Sequence, residues 1–174
     1  MVVLAAKRAA NNGKRVLVVT SSHESDDLLC SCLQFNQIEF FRGSLDNTLE
    51  RFIMALSEYQ DNTIVHRLTA DNVFPDGILV DELEKEFIDK EYEYLICNGS
   101  DSGLPYGLSV ETFRLASLRE AYKLANSKYD LEHVTPYVKR NKEIQYFDKY
   151  LSLDLGSYSC TIDTYSDYLL VNKI

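Results

Sequence analysis

The sequence predicts an α/β protein: a mostly parallel sheet covered by helices, in three layers. Two observations carry that expectation. Strand-like β-branched runs alternate at short spacing with helix-period segments through the first half of the chain. The 174 residues, 45% hydrophobic and 26% charged with seven Gly and three Pro, also have the make-up of a single globular domain spanning 1–174.

Val2 to Ala10 is Ala-rich and ends in the helix-closing sequence Asn11-Asn12-Gly13. Arg15 to Ser21 is a continuous β-branched run, the pattern of a parallel strand buried on both faces. Ser22 then caps a helix to about Phe35, and Ile38 to Phe41 is a short strand. Leu45, Leu49, Phe52, Ile53 and Leu56 share one helical face within 45–59. Thr63 to Leu68 reads as a strand, Asp76-Gly77 opens a helix to Lys90, and Tyr94 to Asn98 is again a strand. A Gly- and Pro-punctuated loop leads to a strand at Leu108 to Phe113 and helices at 115–125 and 130–140, the latter carrying Pro136 near its first turn or at a break. After a weakly patterned, Tyr-rich stretch, a last strand is expected at Ser159 to Ile162 and a last helix at Thr164 to Val171.

Lys and Arg number 18 against 27 Asp and Glu, a net charge of −9. That sign repels polyphosphate backbones and anionic membranes, so neither nucleic acid nor a membrane is an expected partner. The opening apolar run, Met1 to Ala6, is far shorter than a membrane span or a signal-peptide core, and a cytoplasmic location is expected. Cys30, Cys32, Cys97 and Cys160 show no C-x-x-C spacing and read as buried free thiols; a metal would be oxygen-ligated.

In open α/β sheets ligands gather beyond the carboxyl ends of the strands. The residues there are Thr20-Ser21, Arg42-Gly43-Ser44, Thr69-Ala70-Asp71, Asn98-Gly99-Ser100 and Asp163. Asp71 and Asp163 could hold one hard divalent cation together with phosphate oxygens. Competing structural roles are a turn for Asp71 and a helix cap for Asp163, since Thr164 to Asp167 resembles a capping box. Arg42-Gly43-Ser44 joins a guanidinium, a flexible backbone and a hydroxyl, which suits phosphate or base-edge recognition or an ordinary turn. Asp26 and Asp27 read as first-turn carboxylates facing a helix dipole, or as the acidic pair of a phosphorylated receiver. His133 beside Glu132 suits catalysis or a structural hydrogen bond. With no G-x-G-x-x-G or Walker-type loop, a dinucleotide oxidoreductase or P-loop NTPase is not expected.

Several stretches fall in the order and spacing of one family: VLVVTSSHESDDLL (16–29), FFRGSLDNTLERF (40–52), IVHRLTADNVFPDG (64–77), YGLSVETF (106–113), EHVTPYVKRN (132–141) and CTIDTYSDYLLVNKI (160–174). The chain resembles the cytidylyltransferases typified by the spore-coat polysaccharide biosynthesis protein F, relatives of CMP-sialic acid and CMP-Kdo synthetases. The resemblance implies a nucleotide-diphospho-sugar transferase (GT-A-like) fold and a nucleotidyltransferase for surface polysaccharide. CTP and a sugar or sugar acid are the implied partners: a sugar hydroxyl attacks the α-phosphorus of CTP, and pyrophosphate leaves. Asp71 and Asp163 match the family's Mg²⁺-binding aspartates. Thr20, Arg42, Gly43, Ser44 and Arg51 fall on the nucleotide side, and Tyr106, Glu111, Glu132 and His133 on the acceptor-sugar side.

The sequence also departs from the family. Gly-Asp-Cys-Pro is here Ala70-Asp71-Asn72-Val73, Gly-Leu-Asp-Val-Glu is Gly107-Leu108-Ser109-Val110-Glu111, and Leu131 stands for the usual Arg. The resemblance begins after the family's first strand and its Gln-x-Arg-x-x-Ser-x-Arg-Leu-Pro-x-Lys loop, so an N-terminally truncated form is expected. Its open strand edge would favour a homodimer. Because that loop carries the basic groups that hold the CTP phosphates, a non-catalytic nucleotide- or sugar-binding or assembly module of the same fold is the competing expectation.

Overall fold

The structure, a computed structural model, describes residues 1–171 and 173. Its elements run α1 (Val2–Ala9), β1 (Leu17–Ser21), α2 (Asp27–Phe35), β2 (Glu39–Gly43), α3 (Thr48–Ala55), β3 (Ile64–Arg67), α4 (Gly77–Asp89), β4 (Tyr94–Cys97), β5 (Val110–Arg114), α5 (Leu115–Leu124), α6 (Lys128–His133), α7 (Pro136–Asn141), β6 (Ile144–Tyr146) and α8 (Tyr165–Val171). The α/β alternation is the expected one. The chain divides into two compact units, one of residues 1–15, 66–112 and 144–174, the other of residues 16–65 and 113–143.

In the first unit β4 pairs in parallel with β6, within a sheet of order β3-β5-β4-β6. All four β4 residues are buried, as the unbroken apolar run of an inner strand requires. Asp76 caps α4 by accepting from the Leu79 amide at 3.0 Å. The expected closure of α1 also holds: Gly13 sits at φ +83°, and Asn11 Oδ1 accepts from the Gly77 amide at 2.8 Å. A Cβ on Gly77 would lie 2.7 Å from Asn11 and Asn12, so the α1–α4 approach requires glycine there. Ala5, Val73 and Ile162 form a small apolar core with Phe74 and Val171 packed against it.

The second unit holds the parallel pair β1–β2, in register from Leu17 opposite Glu39 to Ser21 opposite Gly43. Leu17, Val18 and Val19 are only half-buried, not covered on both faces, because β1 pairs with β2 alone in a two-stranded sheet. Leu33, Leu49, Phe113, Leu115 and Leu118 are fully buried here. Helix α3 starts at Thr48, later than its apolar periodicity suggests, because Asn47 Oδ1 accepts from the Glu50 amide at 2.9 Å and sets the N-terminus.

Three further local expectations differ from the structure in whole or in part. The helix expected over 130–140, with Pro136 near its first turn or at a break, is two helices, broken at Val134-Thr135 with Pro136 opening the second. The last strand is reduced to a single parallel bridge between Tyr106 and Ser159, and the Tyr-rich stretch contains β6. Among the cysteines, all free, Cys30 and Cys97 are buried, but Cys32 is exposed and Cys160 half-buried; burial pushes the Cys97 thiol up to about 11.

Candidate functional site

Strand β3 delivers the chain into a turn in which the Asn72 amide donates to the Thr69 carbonyl at 3.2 Å and the Asn72 carboxamide donates to Thr69 Oγ1 at 2.9 Å. The turn presents Asp71. Its carbonyl accepts from the Ile162 amide at 3.0 Å, which sets Asp71 one residue away from Asp163 across a single backbone hydrogen bond. The same incoming segment is pinned to Tyr106, whose carbonyl accepts from the Cys160 amide at 2.7 Å and whose amide donates to the Tyr158 carbonyl at 2.8 Å. Gly107 lies against it at φ +103°, where a Cβ would meet the Thr161 amide nitrogen at 2.7 Å. Three stretches distant in sequence, 71–72, 106–107 and 160–163, thus converge within the first unit.

The two aspartates have different surroundings. Asp71 Oδ1 is buried without a hydrogen-bond partner, as are Asn72 Oδ1 and Thr161 Oγ1. Such orphans are few in folded proteins, and each asks for an explanation. Asp163 is exposed, and the competing role of helix cap falls to its neighbours: Asp167 Oδ2 accepts from the amides of Thr164 at 2.8 Å and Asp163 at 3.2 Å. Those bonds, with the Thr164 hydroxyl donating as well, hold the Asp167 carboxyl below its ordinary range. Asp163 keeps its own carboxylate uncommitted to the cap.

Glu111, on β5, is buried and paired with Arg67 of β3 at 2.9 Å. Tyr106 is exposed. Sequence reading passed over Arg67, although a cation on one strand and an acid on another is the available signal for such a pair.

The remaining expected site residues lie in the second unit. Thr20 is buried and donates to Asp26 Oδ2 at 2.6 Å; the same oxygen accepts from the Ser21 hydroxyl at 2.7 Å and the Ser21 amide at 2.9 Å. These donors hold the Asp26 carboxyl far below the ordinary carboxylate range. Asp26 therefore ties the β1 end to the loop before α2, a contact missed when it was read with Asp27 as a first-turn acid. Arg42 binds the Ser21 carbonyl at 3.0 Å, the His23 carbonyl at 2.8 Å and Asp27 at 2.7 Å. Its guanidinium braces the same loop.

Gly43 leaves room for Arg51, whose Cγ would stand 2.9 Å from a Cβ there. Arg51 donates to Thr48 Oγ1 at 2.6 Å while its Nε is buried without a partner. Burial lowers its pKa, against the pull of nearby Asp26. Ser44 Oγ accepts from the Asn47 amide at 3.2 Å and shapes the turn into α3.

Glu132 and His133 are both exposed, and His133 rests on the Tyr129 ring at 4.4 Å between centroids. They lead into Val134, a buried β-branched residue at φ +72°, ψ −55°. The Thr135 amide donates back to the His133 carbonyl at 2.8 Å, closing a strained γ-turn. Arg140 grips both oxygens of buried Asp130, at 2.9 and 2.8 Å, and so ties α7 to α6 across that turn. Strain of this kind persists only where surrounding structure enforces it.

Comparison with known proteins identifies the family and the fold. The cytidylyltransferase family model matches residues 1–166. An uncharacterized protein of Methanocaldococcus jannaschii is 33% identical over 162 residues, covering 89% of this chain and 63% of that protein. The spore coat polysaccharide biosynthesis protein SpsF of Bacillus subtilis is 27% identical over 162 residues, covering 88% and 63%. The chain thus spans 63% of the length of each of these curated relatives. A cytidylyltransferase structure from Leptospira borgpetersenii superposes with a TM-score of 0.83 at 25% identity, covering 96% of this chain and 71% of the other. A 4-diphosphocytidyl-2C-methyl-D-erythritol synthase from Anaerococcus prevotii, 11% identical with a TM-score of 0.62 over 99% of this chain and 84% of its own, shares the fold. The match along residues 1–166 and the α/β fold together place the chain in the cytidylyltransferase family.

Proposed function

We propose that this protein serves a nucleotidyltransferase reaction in which a sugar or sugar-acid hydroxyl attacks the α-phosphorus of CTP, pyrophosphate leaves, and a CMP-sugar for surface polysaccharide forms. The observation that carries the reading is the Ile162 to Asp71 hydrogen bond, which sets two carboxylate-bearing segments side by side. Phosphoryl transfer asks a protein mainly for positioning and charge compensation.

The residues fit a divalent cation. Asp71 offers a buried, unpartnered oxygen, and Asp163 offers an exposed carboxylate relieved of capping. Among the described residues no cluster of three or more His, Cys, Asp or Glu forms a closed cage, and magnesium needs none, since it takes one or two carboxylates with substrate phosphates and water. Bound between Asp71 and Asp163, Mg²⁺ would neutralise charge developing on the phosphates.

Of the other residues, Arg51 keeps a desolvated cation suited to a phosphate or base edge. Arg42, Gly43, Ser44 and Thr20 shape the loops around it. Glu111, held by Arg67, and Tyr106 would contact the acceptor sugar; Glu132 and His133 are assigned to that side by the family resemblance alone. The setting is taken as cytoplasmic, and no helix among the described residues is long and apolar enough to cross a membrane.

A second reading, binding of nucleotide or sugar without turnover, is favoured by Arg42, whose guanidinium is occupied by Ser21, His23 and Asp27. Pyrophosphate release from CTP and candidate sugars in the presence of Mg²⁺ tests the first reading. Asp71→Asn is expected to abolish it, and unimpaired release by that variant would sink the metal assignment. Calorimetric binding of CTP without release would establish the second reading instead.

A further inference from the structure

Among the described residues, three of the buried side-chain atoms without a partner crowd the Asp71–Ile162 junction: Asp71 Oδ1, Asn72 Oδ1 and Thr161 Oγ1. Asn72 and Thr161 are each 8% exposed, so bulk water does not satisfy them. A buried polar atom left unpaired costs about 1–3 kcal/mol, and Thr161 could have been Val at almost no change in shape. Gly107 presses on the Thr161 backbone and hydroxyl, 2.7 and 2.8 Å from where a Cβ would stand, so the residue is held in place with its hydroxyl unused. The Asn72 amide nitrogen is spoken for by Thr69 at 2.9 Å, which leaves the carboxamide oxygen as the free end.

We infer that Asn72 and Thr161 are acceptors for the water shell of a divalent cation held by Asp71 and Asp163. This rests on the metal reading proposed above and goes beyond it by adding two uncharged residues. Magnesium sheds water reluctantly and keeps several aqua ligands, each a strengthened hydrogen-bond donor. A site with two carboxylates therefore needs neutral oxygens around it to receive those protons. Partners behind the direct ligands commonly set metal affinity by 10- to 100-fold. The three orphaned oxygens have the required chemistry: all can accept, and two come from residues with no charge to repel the substrate phosphates.

The test is calorimetric and spectroscopic titration of the whole chain with Mn²⁺ alone, alongside thermal unfolding without metal. Thr161→Val and Asn72→Leu keep side-chain shape; each is expected to weaken Mn²⁺ about tenfold, and Thr161→Ser, which retains the hydroxyl, to restore most of the loss. Thr161→Val should also raise the metal-free melting temperature, since it removes an unpaired buried hydroxyl. A merely structural hydroxyl would instead lower stability and leave Mn²⁺ affinity unchanged. Asp71→Asn separates the two levels of the argument. If wild type and Asp71→Asn bind Mn²⁺ alike, the metal reading itself fails. If Asp71→Asn abolishes binding while Thr161→Val and Asn72→Leu both bind as tightly as wild type, the inference about the water shell is overturned and the aspartate pair stands.

Discussion

Thr164 and Asp167 cap helix α8 reciprocally: the Thr164 amide donates to Asp167 Oδ2 at 2.8 Å, and the Asp167 amide donates back to Thr164 Oγ1 at 3.3 Å. Asp163 lends its amide to Asp167 Oδ2 at 3.2 Å, while its carboxylate stays outside this exchange. Two acids four positions apart, alike on paper, are thereby separated into a helix cap and a candidate ligand. Thr164→Ala should speed amide exchange through α8 and destabilise its first turn by about 1 kcal/mol. Asp163→Asn should leave that exchange at the wild-type rate; hydrogen-exchange mass spectrometry of 160–171 checks both.

Val134 gives an inverted substitution order. In ordinary helix or strand, Gly is worse than Ala by about 0.5–1 kcal/mol. At φ +72°, Ala keeps the backbone strain of about 1–3 kcal/mol while Gly relieves it. Both lose the buried Val side chain. Urea unfolding is expected to show Val134→Gly as more stable than Val134→Ala, and the reverse order would remove the strain from the account.

The Arg67–Glu111 pair is buried, with 19% and 8% of the two side chains exposed. Arg67→Met leaves a buried carboxylate beside an apolar residue and should destabilise by about 3 kcal/mol. Glu111→Gln keeps an acceptor for the guanidinium and should cost less. Chemical denaturation of the two variants gives the comparison.

Stability should fall with acid in two stages. Burial lowers the pKa of His66, which lies 3.3 Å from Glu84 and 2.9 Å from Thr112. Below its ordinary value near 6.5, the unfolded chain takes up a proton that the folded chain resists, so stability drops as pH falls from there. Asp26, held low by Thr20 and Ser21, acts further down: its contribution is whole above about 4 and is lost as pH falls through its depressed folded value. Denaturation midpoints measured from pH 7.5 to 3 should show His66→Gln without the first stage and Asp26→Asn with a shallower second one.

The α/β alternation was legible because β-branched runs such as Arg15 to Ser21 and capped periodic segments such as Asp76 to Lys90 carry their own local signals. The break between α6 and α7 was legible in part, since Pro136 marked a first turn or a break and does open α7, but nothing in Glu132-His133-Val134-Thr135-Pro136 demands a positive φ at valine. That conformation is imposed by the Asp130–Arg140 clamp and by burial, both tertiary. Beside the aspartates the limit was similar. Asp71 and Asp163 are chemically conspicuous, whereas Asn72 and Thr161 become notable only once burial leaves them unpartnered. Arg42 shows the opposite case: its sequence context suited ligand recognition or an ordinary turn, and in the fold its guanidinium is taken up by two carbonyls and Asp27.

Ile162 has a consequence for how the molecule loses its competence. The segment 160–163 joins no strand and is tethered by a few backbone hydrogen bonds, to Tyr106 and Asp71. Strand β4, by contrast, is buried along its whole length. The two carboxylate-bearing segments can therefore part in a local opening that costs far less than global unfolding. The Ile162 amide proton is the natural gauge of that event: on mild heating its exchange with solvent should quicken while the β4 amides remain protected, and the site melts before the fold does.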